Sequence, residues 1–353
     1  LGVIGIHVGS FVLESPQPNS FLYMLLEILS RYSVPAFFFI SGYGLFCQYR
    51  PESHVAYLPF LKKRLQSVGI PYVVWSLLYL LYFSAVMPGC ISWQPGNIAF
   101  LLFYGLSCYH LYFMVILLWF YFTFPLWHKL FAFFQRGGLK LGFALLFFLQ
   151  ITFNYWTCHP NINSTELPLL LQNLFNYRLN YLPLHYLFIF MLGGLAAIYY
   201  NKFIKFITSH FTAVNIFYIF TLFFIGGSYY YYYFYYNYSL IILVNTFQQL
   251  SLQGFLYTIA SLLFFCAVSS KTNLNNPCRQ FIHLLSVNSL IVYLIHPFWM
   301  DIINRLCHAG GIVMTSKRIL AIYFLLVALS VFSSILLTKL GSKFPHLALL
   351  LTG

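Results

Sequence analysis

Charge is what this chain lacks most. Only 7% of its 353 residues are charged, with 18 Lys and Arg against 5 Asp and Glu. A soluble domain carries about 25% charged residues, so a chain that is 61% hydrophobic and 22% aromatic cannot sustain a water-facing surface. Five carboxylates are also too few for a pump built on a relay of buried acids. The cations leave a formal charge of +13 but form no extended basic tail or patch, which excludes nucleic acid as a partner. Seven cysteines show no Cys-x-x-Cys spacing, and an odd number cannot all pair within the chain. There is no P-loop, His-Glu-x-x-His, dinucleotide fingerprint or Gly-x-Ser-x-Gly elbow. Neither a metal nor a bound cofactor is therefore expected.

What the chain does have is apolar runs of about 17–25 residues, the length a membrane helix needs. They are continuous rather than alternating, which excludes a membrane barrel. The expected fold is all-α: a polytopic membrane helical bundle of about ten transmembrane helices. The runs fall at 1–13, 23–46, 65–86, 110–127, 141–157, 183–200, 213–231, 250–268, 286–303 and 319–338. We read residues 1–353 as one domain that starts partway into its first helix. Placing Lys62, Lys63 and Arg64 in the cytoplasm collects 13 of the 18 cations on that side. Arg31, Arg178, Arg305, Lys317 and Arg318 remain for the other. That bias predicts both termini in the cytoplasm. Two stretches resist assignment. Residues 228–249, with five consecutive tyrosines, form an interface belt, an extension of the seventh span or a half-buried segment. Residues 92–109 read as a short interfacial or re-entrant piece. Asn163-Ser-Thr165 and Asn237-Tyr-Ser239 match the glycosylation pattern and are read as chance matches.

Against this apolar background the polar residues stand out. His7 lies in the first run, where an ionisable group ordinarily faces a cavity or a partner rather than lipid. It is a candidate general base, because its proton leaves near neutral pH; a ring satisfied by a neighbouring helix is the plainer alternative. Glu14, seven residues on, would share its helix face about 10 Å away along the axis, either lining the same cavity or facing water. Glu27 and Arg31 have the i,i+4 spacing of a helical ion pair. Pro35 should kink the same helix, and Ser41-Gly42 should allow close helix approach. Lys62, Lys63 and Arg64 either anchor the topology or bind donor phosphates. His110, His296 and His185 read as interfacial histidines or cavity lining.

Taken together, these segments resemble the membrane acyltransferase 3 family of bacterial O-acyltransferases that modify surface glycans. The resemblance runs through His7, Arg31 with Val34-Pro-Ala-Phe-Phe-Phe-Ile-Ser-Gly-Tyr43, and Lys62-Lys-Arg-Leu with Ile70-Pro-Tyr-Val-Val-Trp75. It continues through His110-Leu-Tyr-Phe to Ser289-Leu-Ile-Val-Tyr-Leu-Ile-His-Pro297. It implies a multi-pass protein of the bacterial inner membrane. The implied reaction moves an acyl group, commonly acetyl, from cytoplasmic acyl-CoA (acetyl-CoA) to a hydroxyl of an exopolysaccharide or lipid-linked sugar. His7 matches the family's leading catalytic candidate, with Arg31 and Glu27 beside it and Lys62, Lys63 and Arg64 as donor-binding residues. Glu14, Ser41, His110, Tyr293 and His296 are candidates to line the cavity. The family often has a basic residue eleven positions before this histidine, which here falls before Leu1. Its usual Arg-x-x-Arg is replaced by Lys62-Lys-Arg64 with Ser67 three residues on. Membrane lipids, the donor and the glycan are the expected partners. The competing function is a polysaccharide or lipid-linked-sugar exporter or flippase without acyl chemistry.

Overall fold

The computed structural model describes residues 1–159, 164–272 and 275–351; Asn163 of the first glycosylation match lies outside them. All regular elements among the described residues are helical. The short helix α1 (Gly2–Val12) is followed by α2 (Ser20–Gln48), α3 (Tyr57–Val86) and the short α4 (Pro95–Tyr104). The pair α5 (Tyr112–Phe122) and α6 (Phe124–Gly137) meets at a 61° bend, and α7 (Leu139–Cys158) follows. Next come α8 (Pro183–Ile198) and α9 (Tyr200–Ser209), bent by 101°, then α10 (Phe211–Tyr235), α11 (Leu252–Lys271), α12 (Ser289–Ala309) and α13 (Ser316–Lys343). Seven of these helices are long and apolar enough to cross a membrane, or nine if each bent pair counts as one span. The first apolar run, 1–13, holds α1, which rises about 16 Å within this sequence.

The outward faces keep large apolar side chains in the open. Phe148 on α7 is 65% exposed, Phe223 on α10 73% and Phe332 on α13 68%. Only a lipid surround makes such a surface favourable, and the chain is a multi-pass membrane protein. The tyrosine run proves to be the end of α10, whose helix continues to Tyr235 before a short helix at Leu240–Thr246. Residues 92–109 hold the short α4.

Prolines shape the helices around the interior. Pro35 cannot donate a backbone hydrogen bond and its ring crowds the preceding turn. Upstream of it α2 widens into a π-turn at Met24–Ile28 and a loosened turn over residues 29–32. Pro71 does the same to α3, with a π-turn at Leu65–Gly69. Glu27 sits in the first of these turns and Arg64 immediately before the second. A close helix crossing joins α2 to α8. A Cβ on Gly42 would lie 2.0 Å from the Phe190 carbonyl oxygen, and one on Gly193 2.0 Å from that of Phe39. The small residue expected to permit close approach does so, and it pins α2 beside the interior cavities.

Candidate active site

Three histidines from distant parts of the chain meet between α1, the start of α5 and α12. The His7 and His296 rings are stacked with centroids 5.2 Å apart, and His110 lies edge-on to His296 at 5.4 Å. The Tyr109 ring packs against His7 at 4.5 Å, tilted by 58°, and is itself half exposed. His7 thus contacts two rings, and it remains half-buried rather than sealed. Among the described residues its ring makes no hydrogen bond. His296 Nδ1 lies 2.7 Å from the Tyr293 carbonyl oxygen. A carbonyl only accepts, so the proton of the neutral ring sits on Nδ1 and Nε2 keeps its lone pair. His110 is buried, and neither of its nitrogens has a partner among the described residues. The Tyr293 hydroxyl donates to the His110 backbone carbonyl, tying α12 to the start of α5.

Arg31 enters the same space from α2. Its guanidinium donates to Glu27 Oε2 at 2.9 Å and to Gln249 Oε1 at 3.0 Å. Gln249 Nε2 in turn donates to the Tyr186 hydroxyl at 3.1 Å. The pairing with Glu27 makes both charges tolerable away from water. Gly9 is what lets them approach α1, since a Cβ there would fall 2.5 Å from Glu27 Cγ.

Three cavities meet here. A small chamber of about 40 Å³ is lined by His7, Arg31, His110, Gln249 and apolar walls that include Phe113 and Tyr293. A larger cavity of about 420 Å³ shares those two aromatic walls and runs past Ser41 to Gln48 and Arg64. A third, of about 320 Å³, touches Tyr293 and His296 from the side of α1 and Tyr32. Tyr293 lines all three. Arg64 donates to Gln48 Oε1 at 2.8 Å and lies over the Phe60 and Tyr121 rings.

The structure therefore groups His7, Arg31, Glu27, His110, Tyr293 and His296, and puts Ser41 and Arg64 along the adjoining cavity. Lys62 and Lys63 are exposed and line none of the three cavities. Glu14 also lies apart. The helix tightens into a 3-10 turn after Val8, and the Glu14 carboxylate faces His308 at 3.6 Å instead. Gln249, Tyr186 and Tyr109 were not singled out from the sequence. A glutamine beside an apolar helix start was the one signal available for Gln249.

Comparison with known proteins gives one result. The model of the acyltransferase 3 family, described as an acyltransferase domain, matches residues 1–339. No curated protein and no solved structure matches the chain.

Proposed function

The chain belongs to the acyltransferase 3 family and is a membrane acyltransferase, and we propose that it moves an acyl group, acetyl in the first instance, from acyl-CoA to a sugar hydroxyl. The acceptor in this reading is a surface polysaccharide or lipid-linked sugar of a bacterial inner membrane. The observation that carries it is the continuity of walls. The cavity holding Arg64 shares Phe113 and Tyr293 with the chamber holding His7, Arg31 and His110.

In the orientation favoured by the cation bias, the Arg64 end faces the cytoplasm. Arg64 meets the donor's phosphates there, since a guanidinium suits phosphate oxygens, with Lys62 and Lys63 adding attraction from the surface. The acyl arm extends past Ser41 towards Tyr293, and its thioester enters the chamber. The acceptor hydroxyl reaches His7 from the side of the half-exposed Tyr109. An alcohol is a weak nucleophile until its proton is removed, and His7 removes it. The oxygen bonds to the carbonyl carbon, the carbon–sulfur bond breaks, and His7 passes the proton to the departing thiolate. Arg31 and an N–H of His110 face the oxyanion that forms on the way, where fixed donors in a dry site act most strongly.

The test is transfer of label from [14C]acetyl-CoA into the glycan fraction of membrane vesicles carrying the protein. We expect label with the native chain and loss of it with His7→Ala at equal protein level. Glycan that fails to cross the membrane without this protein, yet is never labelled, would support transport instead.

A further inference from the structure

The chamber beside His7 is small enough to choose its substrate. On the scale where one water needs about 10–15 Å³, about 40 Å³ holds some three heavy atoms, the number in an acetyl group. We propose that Val34 and Phe113 wall the acyl site and limit the transferred group to two carbons. This rests on the acyltransferase reading above and adds to it the residues that set chain length.

Both side chains are fixed from behind. Phe113 is buried, and its ring packs against Phe38 at 4.8 Å, Tyr293 at 5.3 Å and Phe37 at 5.5 Å. Val34 is β-branched and stiff about χ1. It sits one turn after Arg31, its backbone N–H donating to the Arg31 carbonyl at 3.3 Å, so it borders the same space as the guanidinium. The next residue is Pro35, which fixes the backbone that carries it. His7, Arg31, His110 and Gln249 bring polar groups to the same space, and Val3, Ile6, Tyr112 and Tyr293 complete its lining. An acyl tail longer than acetyl must displace part of this lining, and close-packed interiors resist added methylenes; Val34 and Phe113 are the wall side chains that adjoin Arg31 and the larger cavity. Val34→Ala removes two methyl groups at this wall. Phe113→Leu thins the partition shared with the 420 Å³ cavity while keeping an apolar side chain in place.

The experiment compares [14C]acetyl-CoA with [14C]butyryl-CoA as donors, using full-length protein in vesicles and the vesicles' own glycan as acceptor. One methylene in a snug apolar pocket is worth about 10–200-fold in specificity. The native chain should thus favour acetyl by about 100-fold or more in kcat/KM. Val34→Ala and Phe113→Leu should each narrow that ratio about tenfold, chiefly by raising butyryl transfer. The limit is overturned if the native chain uses butyryl as readily as acetyl. It is equally overturned if both variants still transfer acetyl and keep the native ratio. Absence of transfer from either donor by the native chain would instead remove the acyltransferase reading, and the wall with it.

Discussion

Two polar groups built on histidine lie within this bundle, and their surroundings differ. His7, His110 and His296 border cavities, His7 half-buried and the other two buried. His185 is buried too but lines none of those cavities, although its Nε2 also lacks a partner among the described residues. Its Nδ1 donates to Asn154 Oδ1 at 3.2 Å, which also accepts from Gln150 Nε2 at 2.9 Å. Gln150 Oε1 then takes the Phe188 backbone N–H at 3.1 Å, one of the donors left free where α8 passes from a 3-10 turn into α-helix at Leu187. The second group spends its hydrogen bonds on a helix start, as buried polar groups usually must. A histidine among apolar spans thus identifies chemistry only when space and a second reactive group adjoin it.

The sharpest way to break this comparison is to remove one histidine from each group. His7→Ala should lower acyl transfer by about 10²–10⁴-fold, the usual worth of a general base, with the protein still inserted and folded. His185→Leu should leave transfer within about threefold while lowering the unfolding free energy by about 1–3 kcal/mol, the cost of an orphaned partner. Label incorporation and thermal unfolding in detergent read the two effects. If His185→Leu abolished transfer in a stable protein, the distinction drawn here would fail.

The Arg31–Glu27 pair sharpens it further, because it has one role in each category. Arg31→Met leaves a buried carboxylate unpaired, which costs about 3–5 kcal/mol, and it removes the charge beside His7. Adding Glu27→Gln should restore most of that stability, since no uncompensated charge remains. Transfer should stay low in the double variant. Recovery of transfer together with stability would mean that Arg31 serves only to hold α2.

Much of this was legible in the sequence because it is local. Apolar runs mark spans, i,i+4 spacing pairs Glu27 with Arg31, and Gly42 signals a close crossing. What was not legible arises from tertiary contact or a local change of helix type. Gln249 is 218 positions from the arginine it binds, and no periodicity links them. Glu14 was expected on the His7 face of one regular helix, but the 3-10 turn after Val8 rotates it away towards His308. The bend between α5 and α6 falls two residues before Pro125, a breaker inside the expected run, whereas the one between α8 and α9, at Tyr199, has no proline beside it. Among Lys62, Lys63 and Arg64, charge alone could not say which faces inward.

That last point gives the mildest prediction. Arg64 is anchored by Gln48 and two aromatic rings at the mouth of the larger cavity, whereas Lys62 and Lys63 are exposed. If all three hold the donor equally, neutralising any one should weaken it equally. If position decides, Arg64→Gln should raise the KM for acetyl-CoA about tenfold, as expected for one lost charged hydrogen bond of about 1.5 kcal/mol. Lys62→Gln and Lys63→Gln should shift it less than about twofold, because screened surface charges contribute little. Raising the salt concentration separates the contributions again. The lysine contribution should fade with added salt as screening shortens its reach, while the Arg64 effect, made at contact inside the bundle, should persist.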